Sequence, residues 1–138
     1  MKKVIIFLLN IVLLTSAWAQ PLPVKLKHTV IIDTDGAIDD MRAISVLLAR
    51  PEITIKALLL SDGSLTPVES AEKLTSLLRE FRRDDVPVAC GEIIKGINPP
   101  WRQFNRQIKW GSETCNRVTD INAVDCLSEK LAGSTERI

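Results

Sequence analysis

Aromatic residues are scarce in this 138-residue chain: they make up 4% of it, and tyrosine is absent. Stacking platforms of the kind that hold single-stranded nucleic acid are therefore not expected. An excess of one charge is lacking too. Eighteen Lys and Arg against seventeen Asp and Glu leave a net charge of +1, which gives no electrostatic ground for nucleic-acid or anionic-membrane binding. Cysteine is limited to Cys90, Cys115 and Cys126. An odd number without CxxC spacing carries neither a metal signature nor a disulfide framework, and sequence does not choose which pair would close in an oxidising compartment. The one histidine, His28, precedes the first expected strand and reads as an ordinary surface residue.

What is present suits a globular domain: 46% apolar and 25% charged residues. The apolar share is raised by the first twenty residues. Lys2 and Lys3 precede an apolar run from Val4 to Leu14, broken only by Asn10, and Ser16-Ala17-Trp18-Ala19 closes it. That run is shorter than the ~20 residues needed to span a bilayer. It has the layout of a secretory signal peptide over 1–19, cut near Ala19/Gln20, and implies a secreted or periplasmic protein that leaves the membrane after cleavage. No cysteine follows the small residues, which argues against a lipid anchor. A linker over 20–28 and one small domain over 29–138 remain.

Along that domain the pattern alternates. Thr29 to Ile32 is a short β-branched apolar run, as expected of a strand buried on both faces. From Asp39, the residues Met41, Ile44, Val46, Leu47 and Leu48 recur at helical spacing until Arg50-Pro51. Ile53 to Leu60 is a second strand. Thr66-Pro67-Val68-Glu69 then opens a helix with an N-cap, a proline at the first helical position and a capping box. Ala71, Leu74, Leu77, Leu78 and Phe81 form its buried stripe, and Arg82-Arg83 closes it where cations oppose the dipole. Val86 to Cys90 is a third strand. A βαβαβ unit of this kind predicts an α/β fold with an open, mostly parallel sheet and right-handed crossovers. Gly91 to Thr119 reads as a long loop with one helical turn near Arg102 to Ile108; either its Trp101, Arg102, Phe104 and Trp110 cover a ligand, or both tryptophans pack on helix faces or on the rest of a longer protein. Ile121, Val124, Leu127 and Leu131 predict a third helix over Asp120 to Leu131. Three strands with two open edges make a poor free-standing domain, so the expectation is the front half of a larger fold.

The informative segment is Asp33-Thr34-Asp35-Gly36-Ala37-Ile38-Asp39-Asp40, with four carboxylates in eight residues between a strand end and a helix start. In an open α/β sheet that is the carboxyl edge, where ligands bind. Crowded anions beside an apolar strand are costly unless a cation sits among them, and the segment contains no Lys, Arg or His. An all-oxygen donor set selects Ca²⁺ or Mg²⁺ over zinc. The plain alternative is a set of turn-forming and N-capping aspartates.

A calcium-binding EF-hand loop is excluded, because it needs Gly at the sixth and Glu at the twelfth position, whereas Gly36 is fourth and Ile44 twelfth. The segment resembles the Asp-x-Asp-Gly-Thr motif, with a further Asp soon after it, of haloacid-dehalogenase-like phosphatases through Asp33, Asp35, Gly36 and Asp39, with Ser61 as a second motif. Ala37 replaces that motif's Thr, and Asp40 is extra. It is more similar to the Asp-x-Asp-Pro-Gly-x-Asp-Asp hallmark of the inosine/uridine-preferring nucleoside hydrolases. Asp33, Asp35, Asp39 and Asp40 match all four acidic positions, with Gly36-Ala37 standing for Pro-Gly. The likeness continues through Ala43-Ile44, Leu47-Leu48-Ala49, Arg50-Pro51-Glu52-Ile53 and Val86-Pro87-Val88-Ala89-Cys90-Gly91; Gly63-Ser64 stands where that family has Gly-Asn.

This resemblance implies a Rossmann-like sheet with helices on both faces, represented by its N-terminal part. It implies hydrolysis of the N-glycosidic bond of ribonucleosides to free base and ribose by a Ca²⁺-activated water. By similarity Asp35 and Asp40 bind Ca²⁺, and Asp35 takes the proton from the water. Asp39 and Ser64 contact the ribose, and Asp33 orients its neighbours. The partner is a small ribonucleoside, and the full-length family admits homo-oligomers. Further ligands from later in the family's chain are missing, so the 138-residue polypeptide alone is expected to bind Ca²⁺ weakly and not to turn over nucleosides. Two other readings stay open: a Mg²⁺-dependent phosphatase with Asp33 as nucleophile, and a secreted nucleoside- or sugar-binding module without catalysis.

Overall fold

The computed structural model describes residues 26–96, 98–112 and 120–132. The expected signal peptide and Cys115 lie outside the described residues. Three parallel strands, β1 (His28–Thr34), β2 (Ile53–Leu60) and β3 (Val88–Cys90), form a sheet in the order β1-β2-β3. Helices α1 (Ile38–Leu48) and α2 (Pro67–Glu80) are the crossovers, and α3 (Arg102–Gln107) and α4 (Ala123–Ala132) follow β3.

The sheet faces are set by a bulge. Val30 pairs with Ile55 but Ile31 pairs with Ala57, so Lys56 is an extra, exposed residue. An inserted residue reverses the alternation. Ile55, Leu58 and Leu60 therefore share one face with Val30 and Ile32, while Ala57, Leu59 and Ala89 face the other way. The first face packs under Met41, Ile44 and Leu48 of α1 and Ala71, Leu74, Leu77 and Leu78 of α2. The second packs with Cys126 of α4, with Ile31, Ala123 and Leu127 leaning on it. Helices thus cover both faces of a parallel sheet, as the sequence predicted.

Most element ends follow the sequence. Thr66 and Glu69 form the reciprocal capping box, with Pro67 at the start of α2. At the other end Arg83 N–H donates to Leu78 O at 2.9 Å and Arg82 N–H to Arg79 O at 3.0 Å, with Arg82 at φ +54°. That is a Schellman ending carrying an arginine where glycine is easiest. His28 is exposed and opens β1 rather than preceding it. β3 starts at Val88, two residues later than expected, because Pro87 has no N–H to give; its carbonyl accepts from Leu58 N–H at 2.9 Å.

Two apolar stripes differ from expectation. Val46 is 61% exposed because it lies on the far side of α1 from Met41 and Ile44. In α4, which starts at Ala123, the buried residue is Cys126, whereas Val124 and Leu131, and Ile121 ahead of the helix, are exposed. Only Ala123, Cys126 and Leu127, at i, i+3 and i+4, turn toward the small side chains of that sheet face. Asn122 caps α4, its Oδ1 accepting from Val124 N–H at 2.8 Å and Asp125 N–H at 3.3 Å. Cys126 is buried and Cys90 half-buried, and the two are not joined to each other. Among the described residues no helix is long and apolar enough to cross a membrane.

Candidate active site

β1 and β2 end side by side, so the loops that follow them meet at the carboxyl edge of the sheet. Ser61 N–H donates to Thr34 O, and Leu65 N–H donates to Asp35 O, each at 3.0 Å. Asp35, the first residue after β1, is half-buried and held on both carboxylate oxygens. Oδ1 accepts from Ala37 N–H at 3.1 Å, and Oδ2 accepts from Ser64 N–H at 2.8 Å. The Ser70 hydroxyl, in the first turn of α2, donates to Asp35 O at 3.3 Å. Two glycines allow this close fit. A Cβ at Gly63 would lie 2.3 Å from Asp35 Oδ2, and one at Gly36 would lie 2.3 Å from Ser70 Oγ. Gly36 also sits at φ +73°, which L-residues with a side chain rarely adopt.

Asp40 is fixed by a different route. Thr34 is 3% exposed, and its hydroxyl accepts from Gly36 N–H at 3.1 Å while donating to Asp40 Oδ2 at 2.7 Å. Asp39 and Asp40 stand in the first turn of α1, where the helix dipole favours negative charge and where Ala37 offers no side-chain cap. Asp39 is exposed. Asp33 is exposed as well and makes no side-chain hydrogen bond among the described residues; Thr34, its neighbour, is the residue that orients Asp40. Ser64 is buried and meets Asp35 through its backbone. None of the four aspartates forms an ion pair among the described residues.

The donor chemistry of Asp35 and Asp40 fits a hard cation, since both offer carboxylate oxygens with no competing lysine or arginine. The donor number falls short. Ca²⁺ takes roughly six to eight oxygens, and among the described residues no group of three or more His, Cys, Asp or Glu side chains is placed to hold a metal ion. These two carboxylates do not by themselves make up such a donor set.

Sequence spacing does not foresee the partner of Arg102. Arg102 and Asp62 form an ion pair at 2.8 Å with side chains 5% and 0% exposed. The guanidinium also donates to Gly63 O, at 2.7 Å from Nη2 and 3.2 Å from Nε, and Asp62 Oδ2 accepts from Ile94 N–H at 2.9 Å. Forty residues separate the partners, and no local spacing couples an Asp after one strand to an Arg in a distant loop.

A cavity of about 340 Å³ lies elsewhere, between α2 and the stretch 106–112, lined by Glu69, Lys73, Arg106 and Trp110 among others. It contains none of the four aspartates. Arg106 pairs with Glu69 at 2.6 Å, and Lys73 donates to the carbonyls of Arg106 and Ile108. Burial lowers the Lys73 pKa, against the pull of Glu69 and Glu72. Trp110 packs beside the core, whereas Trp101 and Phe104 are exposed.

Comparison with known proteins places the chain in a family. The Pyrimidine-specific ribonucleoside hydrolase RihA of Salmonella arizonae is 38% identical over 64 residues, which cover 46% of this chain and 21% of the relative. RihA of Salmonella paratyphi B matches to the same extent. The chain therefore spans about a fifth of the length of these curated relatives. A plant nucleoside hydrolase, the PpNRh1 enzyme, superposes with a TM-score of 0.61 at 27% identity, over 75% of this chain and 35% of that one. Residues 30–127, which contain all four aspartates and both loops, match the family described as Inosine-uridine preferring nucleoside hydrolase, and the chain belongs to that family.

Proposed function

We propose that this chain supplies the metal- and ribose-facing edge of a secreted or periplasmic hydrolase that splits ribonucleosides into free base and ribose. The observation that carries the reading is Asp35: a half-buried carboxylate clamped by two backbone N–H groups at the strand edge, within a segment matched to nucleoside hydrolases. Asp35 and Asp40 would hold Ca²⁺, completed by ligands beyond these two residues. When bound, the ion supplies a positive charge that makes a water easier to deprotonate.

The residues present suit the remaining tasks. An ionised carboxylate has roughly four lone-pair sites. Two of those on Asp35 are taken by Ala37 and Ser64, so lone pairs remain to accept a proton from water. The two N–H bonds stop the carboxylate from rotating, which keeps its basic lone pairs aimed at one place. Asp40 is held through Oδ2 by the Thr34 hydroxyl, which leaves Oδ1 to serve as a donor atom. Asp39 is exposed at the start of α1 and can accept a hydrogen bond from a ribose hydroxyl. Cleavage of an N-glycosidic bond builds positive charge on the sugar, and a cluster of carboxylates stabilises it.

The phosphatase reading asks Asp33 to act as nucleophile, yet Asp35 is the carboxylate that the loops secure, and Asp33 stands free of them. A ribose-release assay on the protein carrying this chain tests the hydrolase reading, with uridine first because the relatives are named pyrimidine-specific, and inosine beside it. Ca²⁺-dependent release that Asp35→Asn abolishes supports it. Tight binding of either nucleoside with no sugar released, in a protein of full family length, would leave the binding-module reading in its place.

A further inference from the structure

We infer that Arg102 is a positioning residue for Asp35, acting across the loop between β2 and α2. The inference rests on the reading of Asp35 given above and extends it to a residue outside the acidic segment. Arg102 is 4% exposed although it opens a six-residue helix whose neighbours Trp101 and Phe104 are exposed. Its burial is therefore not a by-product of helix packing. The guanidinium grips two successive residues of the loop, the Asp62 carboxylate and the Gly63 carbonyl. The next residue, Ser64, turns its N–H to Asp35 Oδ2, and Leu65 N–H holds the Asp35 carbonyl. Gly63 leaves no room for a side chain between loop and carboxylate.

A planar, charged fork fixes two acceptors at once, which a single hydrogen bond cannot do. Removing it strands the Asp62 carboxylate in a buried place and frees the Gly63 peptide to turn, and Ser64 N–H turns with it. Partners that orient a metal-binding carboxylate change metal affinity by about 10- to 100-fold when lost. The same link joins the stretch after β3 to Asp35, so events at 94–102 are felt at the carboxylate.

Amide NMR of the ¹⁵N-labelled chain, with CaCl₂ calorimetry beside it, tests this on Arg102→Gln, Arg102→Lys and Asp62→Asn. In the parent the Ser64 amide proton is expected to resonate downfield, because it donates to a carboxylate. Arg102→Gln is expected to move it upfield and to weaken Ca²⁺ binding about tenfold or more, and Arg102→Lys to recover part of both. Asp62→Asn keeps the side-chain shape and is expected to move the Ser64 amide in the same direction, which serves should Arg102→Gln fail to fold. A folded Arg102→Gln or Asp62→Asn chain with the parent's Ser64 resonance overturns the inference and leaves the ion pair a structural contact. The Ser64 readout needs no cation, so the test of Arg102 stands apart from the calcium reading.

Discussion

Gly63→Ala is the sharpest steric test of where the Asp35 carboxylate lies. The added methyl carbon would sit 2.3 Å from Oδ2, 2.7 Å from Cβ and 2.9 Å from Cγ of Asp35. Ordinary carbon contacts lie near 3.5–4.0 Å, so the overlap exceeds anything a small adjustment absorbs. Gly63 does not need a left-handed backbone, and alanine brings no conformational penalty of its own. Two routes relieve the clash. Asp35 rotates away, or the loop backs off; either breaks the 2.8 Å bond from Ser64 N–H. A hydrogen bond to a charged group contributes ~1.5–3 kcal/mol, and residual overpacking costs ~1–3 kcal/mol. Because moving the carboxylate trades one loss for the other, the two do not add, and a net loss of about 2–3 kcal/mol is expected. Urea unfolding followed by circular dichroism measures it, and calorimetry with CaCl₂ should show affinity down ~10- to 100-fold. Unchanged unfolding together with unchanged Ca²⁺ binding would refute the placement of Asp35 against Gly63.

Three further outcomes are expected. Thr34→Val keeps shape but removes the hydroxyl that joins Gly36 N–H to Asp40, and should cost about 1–3 kcal/mol in urea unfolding, while Thr34→Ser should cost much less. Arg82→Gly should stabilise by about 0.5–1 kcal/mol, since arginine stands at φ +54° in the helix ending where glycine is unstrained; a destabilised variant contradicts this. Burial raises the Glu69 pKa, but hydrogen bonds from Thr66 and the Arg106 partner outweigh it and leave the group below its ordinary 4.5. A pKa lowered by folding gives stability that is complete above the ordinary value and is lost as pH falls through the lowered one. The stability gap between the parent and Glu69→Gln should therefore be open at pH 6 and close as pH drops below 4.5; a gap independent of pH contradicts the capping-box electrostatics.

What the sequence made legible was whatever is written locally. Thr66-Pro67-Val68-Glu69 announced its helix start because a capping box closes over three residues, and Ile53–Leu60 announced its strand through Ala57 to Leu60, which is apolar throughout as a doubly covered stretch is. Asp35 and Asp40 stood out because four anions in eight residues demand an explanation. The exposure of Val124 and Leu131 was hidden, since helical spacing marks an apolar face without saying that the opposing sheet offers only small side chains. The Lys56 bulge was hidden because it exists only in the register between two strands. Nothing local to Thr34 marks its hydroxyl as the group that orients Asp40, a role visible only once the turn brings Gly36 N–H and Asp40 to it. The Arg102–Asp62 pair needed the tertiary fold outright.

The central claim is that the aspartates after β1 form one side of a cation site, and a CaCl₂ titration of the ¹⁵N-labelled chain followed by amide NMR tests it most directly. The account predicts weak, saturable shifts concentrated at Gly36, Ala37, Asp40 and Ser64, all removed by Asp35→Asn. Shifts confined to the cavity between α2 and residues 106–112, or none at any concentration, would contradict it.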